Sequence, residues 1–216
     1  TFVIAIGAMF SALEVVPLSM IGVEAFRNYQ RSKAAPWVQS YKWSILCFIA
    51  VGFWNTVGAG LLGFSINTPI ALYYMQGLNM TAAHGHAALF GVYGMLGIGL
   101  MLFCLRGLSD RAAWADSLLK PMFWLLNIGL AMMVFISLVP AGIYQAWASV
   151  TEGMWFARSP EVIHSKVMET LVWMRVPGDI VFALGTLFLA LFAWRLLTGG
   201  SKATATQAAV TGADRA

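Results

Sequence analysis

Five long apolar runs dominate this chain and limit the folds that are open to it. Each run has about 20 residues or more, which is enough for an α-helix to cross the hydrocarbon core of a bilayer. Hydrophobic residues make up 60% of the sequence and charged residues only 10%, a composition typical of membrane proteins. Because backbone polar groups must be paired within lipid, we predict an all-α integral membrane bundle with about five transmembrane helices.

The predicted spans cover residues 2–22, 41–64, 84–105, 121–147 and 171–197, which together form one transmembrane domain over residues 1–197. The loop 23–42 carries an excess of arginine and lysine, which marks the cytoplasmic side of a membrane protein. With five spans, the carboxyl terminus is then cytoplasmic. Residues 198–216 are small and polar and are predicted to form a disordered tail. The net charge of +4 indicates orientation and not a nucleic-acid partner, since the basic residues lie in loops.

The beginning of the chain indicates a longer polypeptide. Thr1 is followed directly by an apolar run, without the charged region or the small-residue cleavage pattern of a signal peptide. We therefore interpret the chain as the carboxyl-terminal part of a larger protein, and we expect the rest of that polypeptide to pack against it.

Two of the three histidines lie at the start of the third run, with one residue between them. Residues two apart on a helix point about 200° from one another, so His84 and His86 can each hold a separate metal but cannot share one. Helical spacing places small residues on the His84 side and large apolar residues on the His86 side, which suits a flat haem on either side. The residues alone leave an alternative open, in which both histidines bond to water or backbone at a membrane interface. The flanking residues are Ala87, Ala88 and Gly91 on the first side, and Leu89, Phe90 and Tyr93 on the second.

Residues 78–96, LNMTAAHGHAALFGVYGML, closely resemble the haem-ligating helix of bacterial nitric oxide reductases, which are members of the haem-copper oxidase superfamily. The motif is most similar to that of the quinol-dependent branch, and the likeness extends over nearly the whole chain. This resemblance implies that His84 is the proximal ligand of high-spin haem b3 and that His86 is an axial ligand of low-spin haem b. It also implies that quinol supplies the electrons with which nitric oxide is reduced to nitrous oxide.

The same resemblance implies the cofactors and partners of the whole protein. The cofactors are haem b, haem b3 and a non-haem iron whose ligands would lie upstream of this segment, with calcium as a further candidate. The partners are quinol, nitric oxide, the lipid bilayer of the bacterial inner membrane and a second copy of the protein in a homodimer.

Glu14 is a carboxylate within the first predicted span, where a charge is costly unless it is paired or hydrated. Pro17 cannot donate to the carbonyl of Leu13, so the helix beside Glu14 has a free acceptor and room for a kink. From the residues alone, Glu14 either forms a hydrogen bond between helices or handles protons. The resemblance to nitric oxide reductases implies the second role, in a catalytic pocket beside haem b3 and the non-haem iron.

Arg175 and Asp179 lie four residues apart at the start of the fifth predicted span, which favours an ion pair on one helix face. Their depth, just below the membrane interface, is also where a quinol headgroup would lie. The resemblance to the quinol-dependent branch implies that Asp179 lines a quinol pocket, with Arg175 as its orienting partner. The lone His164, in a charged loop, is predicted to be solvated.

The sequence leaves three other functions open. The nearest is the cytochrome c-dependent nitric oxide reductase, whose catalytic subunit shares the histidine motif. The second is an oxygen-reducing haem-copper oxidase, which would need a tyrosine linked to a histidine. The third is a transporter without haem, in which Glu14, Asp179 and the histidines form an ion path.

Overall fold

The structure is a computed structural model that describes residues 2–109 and 114–213. Across these described ranges the regular structure is helical and contains no β-strand. Five helical segments are long and apolar enough to cross a membrane. The predicted fold class, an all-α membrane bundle of about five helices, is therefore confirmed.

The first four crossings are α1 (Phe2–Ser32), α3 (Lys42–Asn67), α5 (Asn79–Leu108) and α6 (Asp116–Thr151). The fifth crossing, Lys166–Thr198, consists of α8 (Lys166–Trp173) and the first part of α9 (Val176–Ala213). Three short helices lie between the crossings, together with a 3₁₀ turn over Phe156–Arg158. They are α2 (Pro36–Ser40), α4 (Pro69–Met75) and α7 (Pro160–Ile163).

The buried core lies between α3, α5, α6 and α9, and includes Trp54, Met95, Leu126 and Phe192. Helix α1 packs against α3 at the edge of this core, and only 6% of its most apolar stretch is buried within the chain. Large apolar side chains cover the outside of the bundle. A bilayer, or another part of the polypeptide, is the environment that such a surface requires.

Hydrogen bonds between residues near the helix ends show which ends lie together. Trp43, at the start of α3, donates to Asp116 over 2.7 Å, and Arg106 near the end of α5 donates to the carbonyl of Ser40 over 3.0 Å. At the opposite end, the start of α5 contacts α6 through Asn79 and Gln145. The predicted alternation of the first four spans across the membrane is consistent with these contacts.

The helices extend beyond the apolar runs that predicted the spans. Helix α1 continues to Ser32, because the polar stretch after residue 22 contains no proline and can remain helical in water. Helix α5 begins at Asn79, so His84 and His86 lie in its second turn and not at its first residue. The sequence predicts a disordered tail from residue 198, whereas α9 continues as a helix to Ala213. Several alanines in that stretch favour helix, since alanine has the highest helix propensity.

Three crossings contain a π-helical segment in which the backbone makes a wider turn. These segments are Asn55–Leu62 in α3, Ala87–Gly94 in α5 and Met133–Leu138 in α6. The segments of α3 and α5 pack against each other. The segment of α6 ends two residues before Pro140, which cannot donate to the carbonyl of Ile136. Wide turns of this kind are often found at functional sites, and the one in α5 directly follows the two histidines.

Candidate functional site

The His84 imidazole lies between α5 and the π-helical segment of α3. Its Nδ1 is 2.9 Å from the carbonyl oxygen of Gly58. Because a carbonyl only accepts hydrogen bonds, Nδ1 must carry the proton and Nε2 keeps its lone pair. Gly63 borders the other edge of the ring. If residue 63 had a side chain, its Cβ atom would lie only 2.9 Å from His84 Cε1. The absence of a side chain at Gly63 therefore leaves the space that the imidazole occupies.

A cavity of about 350 Å³ opens beside His84 and brings α1, α3 and α5 together. Glu14 lines this cavity from α1, so the structure places the predicted proton-handling carboxylate and the predicted haem b3 ligand at one site. Polar groups line much of its wall, and Asn67 donates to Ser11 over 3.4 Å. The remaining polar lining residues are Asn55 and Tyr93, and the others are Ala59, Gly63, Ala88 and Val92.

The His86 imidazole lies on the other side of α5 and faces α9. Its Nδ1 is 2.9 Å from the carbonyl oxygen of Ala82, one turn earlier, so this nitrogen also carries a proton. Arg175 Nη2 lies 3.2 Å from Nε2 and donates to it. The ring of Phe90 packs nearby, with its centroid 5.7 Å from that of His86.

Arg175 connects His86 to Asp179. Its Nε lies 3.1 Å from Asp179 Oδ1, which is the ion pair that the four-residue spacing favours. Both side chains are partly exposed, at 36% and 44% of their surface, so they are accessible from the surroundings of the bundle. The contact from Arg175 to His86 could not be predicted from spacing along the chain, because the two residues are 89 positions apart.

The two histidines share one arrangement that suits a metal ligand. In each, Nδ1 donates to a backbone carbonyl, which fixes the tautomer and leaves Nε2 as the only nitrogen able to bind iron. The two imidazoles have different neighbours. His84 lies against α3 and lines the cavity, whereas His86 Nε2 lies beside Arg175, the residue before α9. The donor set therefore fits one imidazole ligand for each of two haems. Within the described ranges no group of three or more His, Cys, Asp or Glu side chains could hold a further metal ion.

The surroundings of the histidines differ in part from those that an ideal helix predicts. On the His84 side, Ala87 and Gly91 are covered by protein, since a Cβ on Gly58 would lie 2.5 Å from Ala87 Cβ and one on Gly91 would lie 2.4 Å from Trp54 Cγ. Only Ala88 of the three small residues lines the cavity. Tyr93, predicted on the His86 side, instead lines the cavity beside His84, because the π-helical turn changes the phase of the residues after His86.

Other polar residues in the spans hold helices together. Trp54 donates to Asn127 Oδ1 over 2.9 Å and links α3 to α6. Ser137 donates to the carbonyl of Leu171 over 2.8 Å and links α6 to α8. Gln145 was not predicted as a site residue, although a glutamine in an apolar span is a signal for such a contact. His164 is exposed.

Comparison with known proteins supports the resemblance carried by the histidine motif. Residues 1–181 match the model of the family described as cytochrome c and quinol oxidase polypeptide I. The chain is also 30% identical over 101 residues to a nitric oxide reductase subunit of Stutzerimonas stutzeri. That match covers 46% of this chain and 20% of the relative, so the chain corresponds to a minor part of the relative's length. The chain belongs to the cytochrome c and quinol oxidase polypeptide I family, and the predicted relationship to haem-copper oxidases is confirmed.

Proposed function

We propose that this chain is part of a membrane oxidoreductase that reduces nitric oxide to nitrous oxide with electrons from quinol. In this reaction two nitric oxide molecules, two electrons and two protons give nitrous oxide and water. The family and the nitric oxide reductase relative support the chemistry. The residues that would complete the metal centre are proposed to lie in the remainder of the polypeptide.

The observation that carries the proposal is the matched pair of imidazoles on α5. His84 would hold haem b3 and His86 would hold haem b, each through the Nε2 that its Nδ1–H···O=C bond leaves available. These haems, when bound, supply the iron that transfers electrons. The protein contributes a fixed distance between its two ligands, since both lie on one turn of one helix.

Glu14 is proposed to deliver protons to nitric oxide in the cavity beside His84. Its carboxyl group lines that cavity together with the polar side chains of Ser11, Asn55 and Asn67. Such groups can order water and pass a proton across the cavity, and a carboxyl group is a suitable proton donor in this setting. The cavity is large enough for a small reactant such as nitric oxide.

Asp179 is proposed to accept a hydrogen bond from the hydroxyl group of quinol, with Arg175 holding its carboxylate in place. The 3.1 Å ion pair and the partial exposure of both side chains support this role. Arg175 also donates to His86 Nε2, the nitrogen that would bind iron. One nitrogen lone pair cannot both accept this hydrogen bond and bind iron, so the contact between Arg175 Nη2 and His86 Nε2 would be lost when haem b is bound.

We place the protein in the bacterial inner membrane with its carboxyl terminus in the cytoplasm. The basic residues from the end of α1 to the start of α3, including Arg31, Lys33 and Lys42, support this orientation. The histidines then lie toward the periplasmic half of the membrane, since they are near the opposite end of α5.

The first experiment is an absorption spectrum of the purified full-length protein. A Soret band with b-type α bands is expected, and a colourless protein would instead favour a transporter. His86→Ala is expected to remove the low-spin signal and His84→Ala to disturb the high-spin signal. His164→Ala, at an exposed histidine, serves as the control and should leave both signals intact. If the first two variants alter the same spectral species, the assignment is wrong.

A further inference from the structure

The helix that carries both histidines needs a hydrogen-bond acceptor from outside its own first turn. The first N–H groups of any helix have no partner within it, and a side-chain acceptor at the residue before the helix often serves them. Leu78 occupies that position in α5, and its apolar side chain cannot accept a hydrogen bond. Leu78 is also buried, so bulk water has poor access to this helix start.

Gln145 of α6 supplies the missing acceptor. Its Oε1 accepts one hydrogen bond from the backbone N–H of Asn79 over 3.0 Å and another from Asn79 Nδ2 over 2.8 Å. Its Nε2 donates to the carbonyl of Ala157 over 3.4 Å. The Gln145 side chain is only 7% exposed, so these bonds are shielded from water. One glutamine thus joins the start of α5 to the segment that follows α6.

Arg158, the residue after Ala157, forms a hydrogen bond to the turn at Gln76 and Gly77, which precedes α5. It donates to the carbonyl of Met154 through Nη1 over 2.6 Å, and to the carbonyl of Gln76 through Nη2. Gln76 is followed by Gly77, whose φ of +72° lets the chain reverse direction into α5. The turn and the helix start are therefore attached to the same segment by two neighbouring contacts.

Close backbone packing makes the position of this helix start sensitive to those contacts. A Cβ atom on Gly142 would lie 2.5 Å from the backbone nitrogen of Met80, so α5 and α6 touch without intervening side chains. His84 and His86 follow Asn79 by five and seven residues, which is less than two helical turns or about 11 Å along the axis. A rotation or fraying of the first turn would therefore move both imidazoles.

We propose that Gln145 and Arg158 form a positioning clamp that sets the depth and rotation of the two imidazoles. The clamp acts on the imidazoles through the helix, since Gln145 and Arg158 bond to Asn79, Ala157, Met154 and Gln76, so these are positioning residues. The identity of the groups that the imidazoles hold depends on the proposed function, whereas the clamp itself does not.

The test compares three variants of the full-length protein. Gln145→Leu introduces a side chain of similar size that cannot accept the two hydrogen bonds from Asn79. Gln145→Glu keeps an acceptor oxygen in the same place. Ser149→Ala is the matched control, because Ser149 is buried on the same helix and its hydroxyl has no hydrogen-bond partner among the described residues. Amide hydrogen exchange is measured over residues 78–83, and the low-spin haem signal is recorded by electron paramagnetic resonance.

Gln145→Leu is expected to speed exchange at the start of α5 about five-fold, the factor that corresponds to losing one helix-capping bond. It should also broaden the low-spin signal, since the orientation of His86 becomes less uniform. Ser149→Ala should leave both measurements near those of the parent protein. Gln145→Glu keeps the acceptor for Asn79 but loses the donor to the Ala157 carbonyl, so it should raise exchange less than Gln145→Leu does. The proposal would be overturned if exchange over residues 78–83 were the same in Gln145→Leu and the parent. It would also be overturned if Gln145→Leu and Gln145→Glu raised that exchange equally.

A second variant keeps the test decisive if Gln145→Leu does not accumulate in the membrane. Arg158→Lys retains the charge but cannot reach both the Met154 and Gln76 carbonyls with one ammonium group. Exchange over residues 76–80 should rise, and an unchanged rate would contradict the clamp. Hydrogen exchange does not require haem, so a colourless parent protein would refute the proposed function while this measurement still decides the clamp.

Discussion

The contact between Gly58 and Ala87 gives the sharpest test of how the structure positions His84. A Cβ on Gly58 would lie 2.5 Å from Ala87 Cβ and 3.1 Å from the Ala87 carbonyl carbon. Ordinary carbon contacts are about 3.5–4.0 Å, so Gly58→Ala must push α3 and α5 apart by about 1 Å. The atoms in the way are the Cβ and the backbone of Ala87, so no change of side-chain rotamer can relieve the contact. We expect a loss of about 1–3 kcal/mol of stability, the usual range for an overpacked core.

The same displacement should reach the imidazole. The carbonyl oxygen of Gly58 accepts the 2.9 Å hydrogen bond from His84 Nδ1, and a shift of about 1 Å is enough to break it. The expected result is a disturbed high-spin haem signal with a smaller effect on the low-spin signal, because His86 bonds within its own helix. Thermal unfolding in detergent and absorption spectra measure the two effects.

Gly97→Ala is the control for this substitution. Gly97 lies on α5, the helix that Gly58 contacts, and a Cβ there would meet no described atom within 4 Å. Its replacement should be neutral or raise stability by up to about 1 kcal/mol, because alanine favours helix more than glycine does. If Gly58→Ala is as stable as Gly97→Ala and keeps a normal high-spin signal, the close contact between α3 and α5 does not position His84.

Three further substitutions test other parts of the site. Trp54→Phe should lower stability by about 1 kcal/mol in thermal unfolding, the scale of a hydrogen bond between membrane helices, because Asn127 Oδ1 loses its indole donor. Asp179→Ala should reduce quinol-driven turnover about tenfold or more, the effect of losing a hydrogen bond to a charged group. Turnover with an artificial electron donor should fall less, and equal losses would contradict a quinol role. Glu14→Gln should slow nitric oxide reduction about a hundredfold or more while leaving both haem spectra unchanged, as expected for loss of a proton donor.

Hydropathy was sufficient to predict the number of crossings because lipid imposes one requirement on every span. The backbone must be paired within the helix and the surface must be apolar, so composition alone marks the segment. The ends of the helices are less constrained. Polar residues remain helical beyond the bilayer, and α1 therefore continues to Ser32 although its apolar run ends ten residues earlier. Ser32 and the other residues near this end carry no hydropathy signal.

Contacts between distant spans were the part of the site that local pattern could not predict. The spacing of Arg175 and Asp179 predicts their ion pair, since both lie on one helix. Nothing in that spacing indicates that Arg175 also reaches His86, or that Gln145 would bond to Asn79. Such pairs depend on how the helices pack, and packing follows from many small contacts over the whole bundle.

Tyr93 shows how a local departure from ideal geometry changes the chemistry of the site. With 3.6 residues per turn, a residue seven positions after His86 returns to nearly the same side of the helix. The π-helical segment Ala87–Gly94 has wider turns, so Tyr93 arrives at the cavity that His84 and Glu14 line. A phenol hydroxyl can donate and accept a hydrogen bond. The cavity is therefore bordered by two side chains that can exchange protons, a carboxyl group from α1 and a phenol from α5, of which the resemblance to nitric oxide reductases implies only the first.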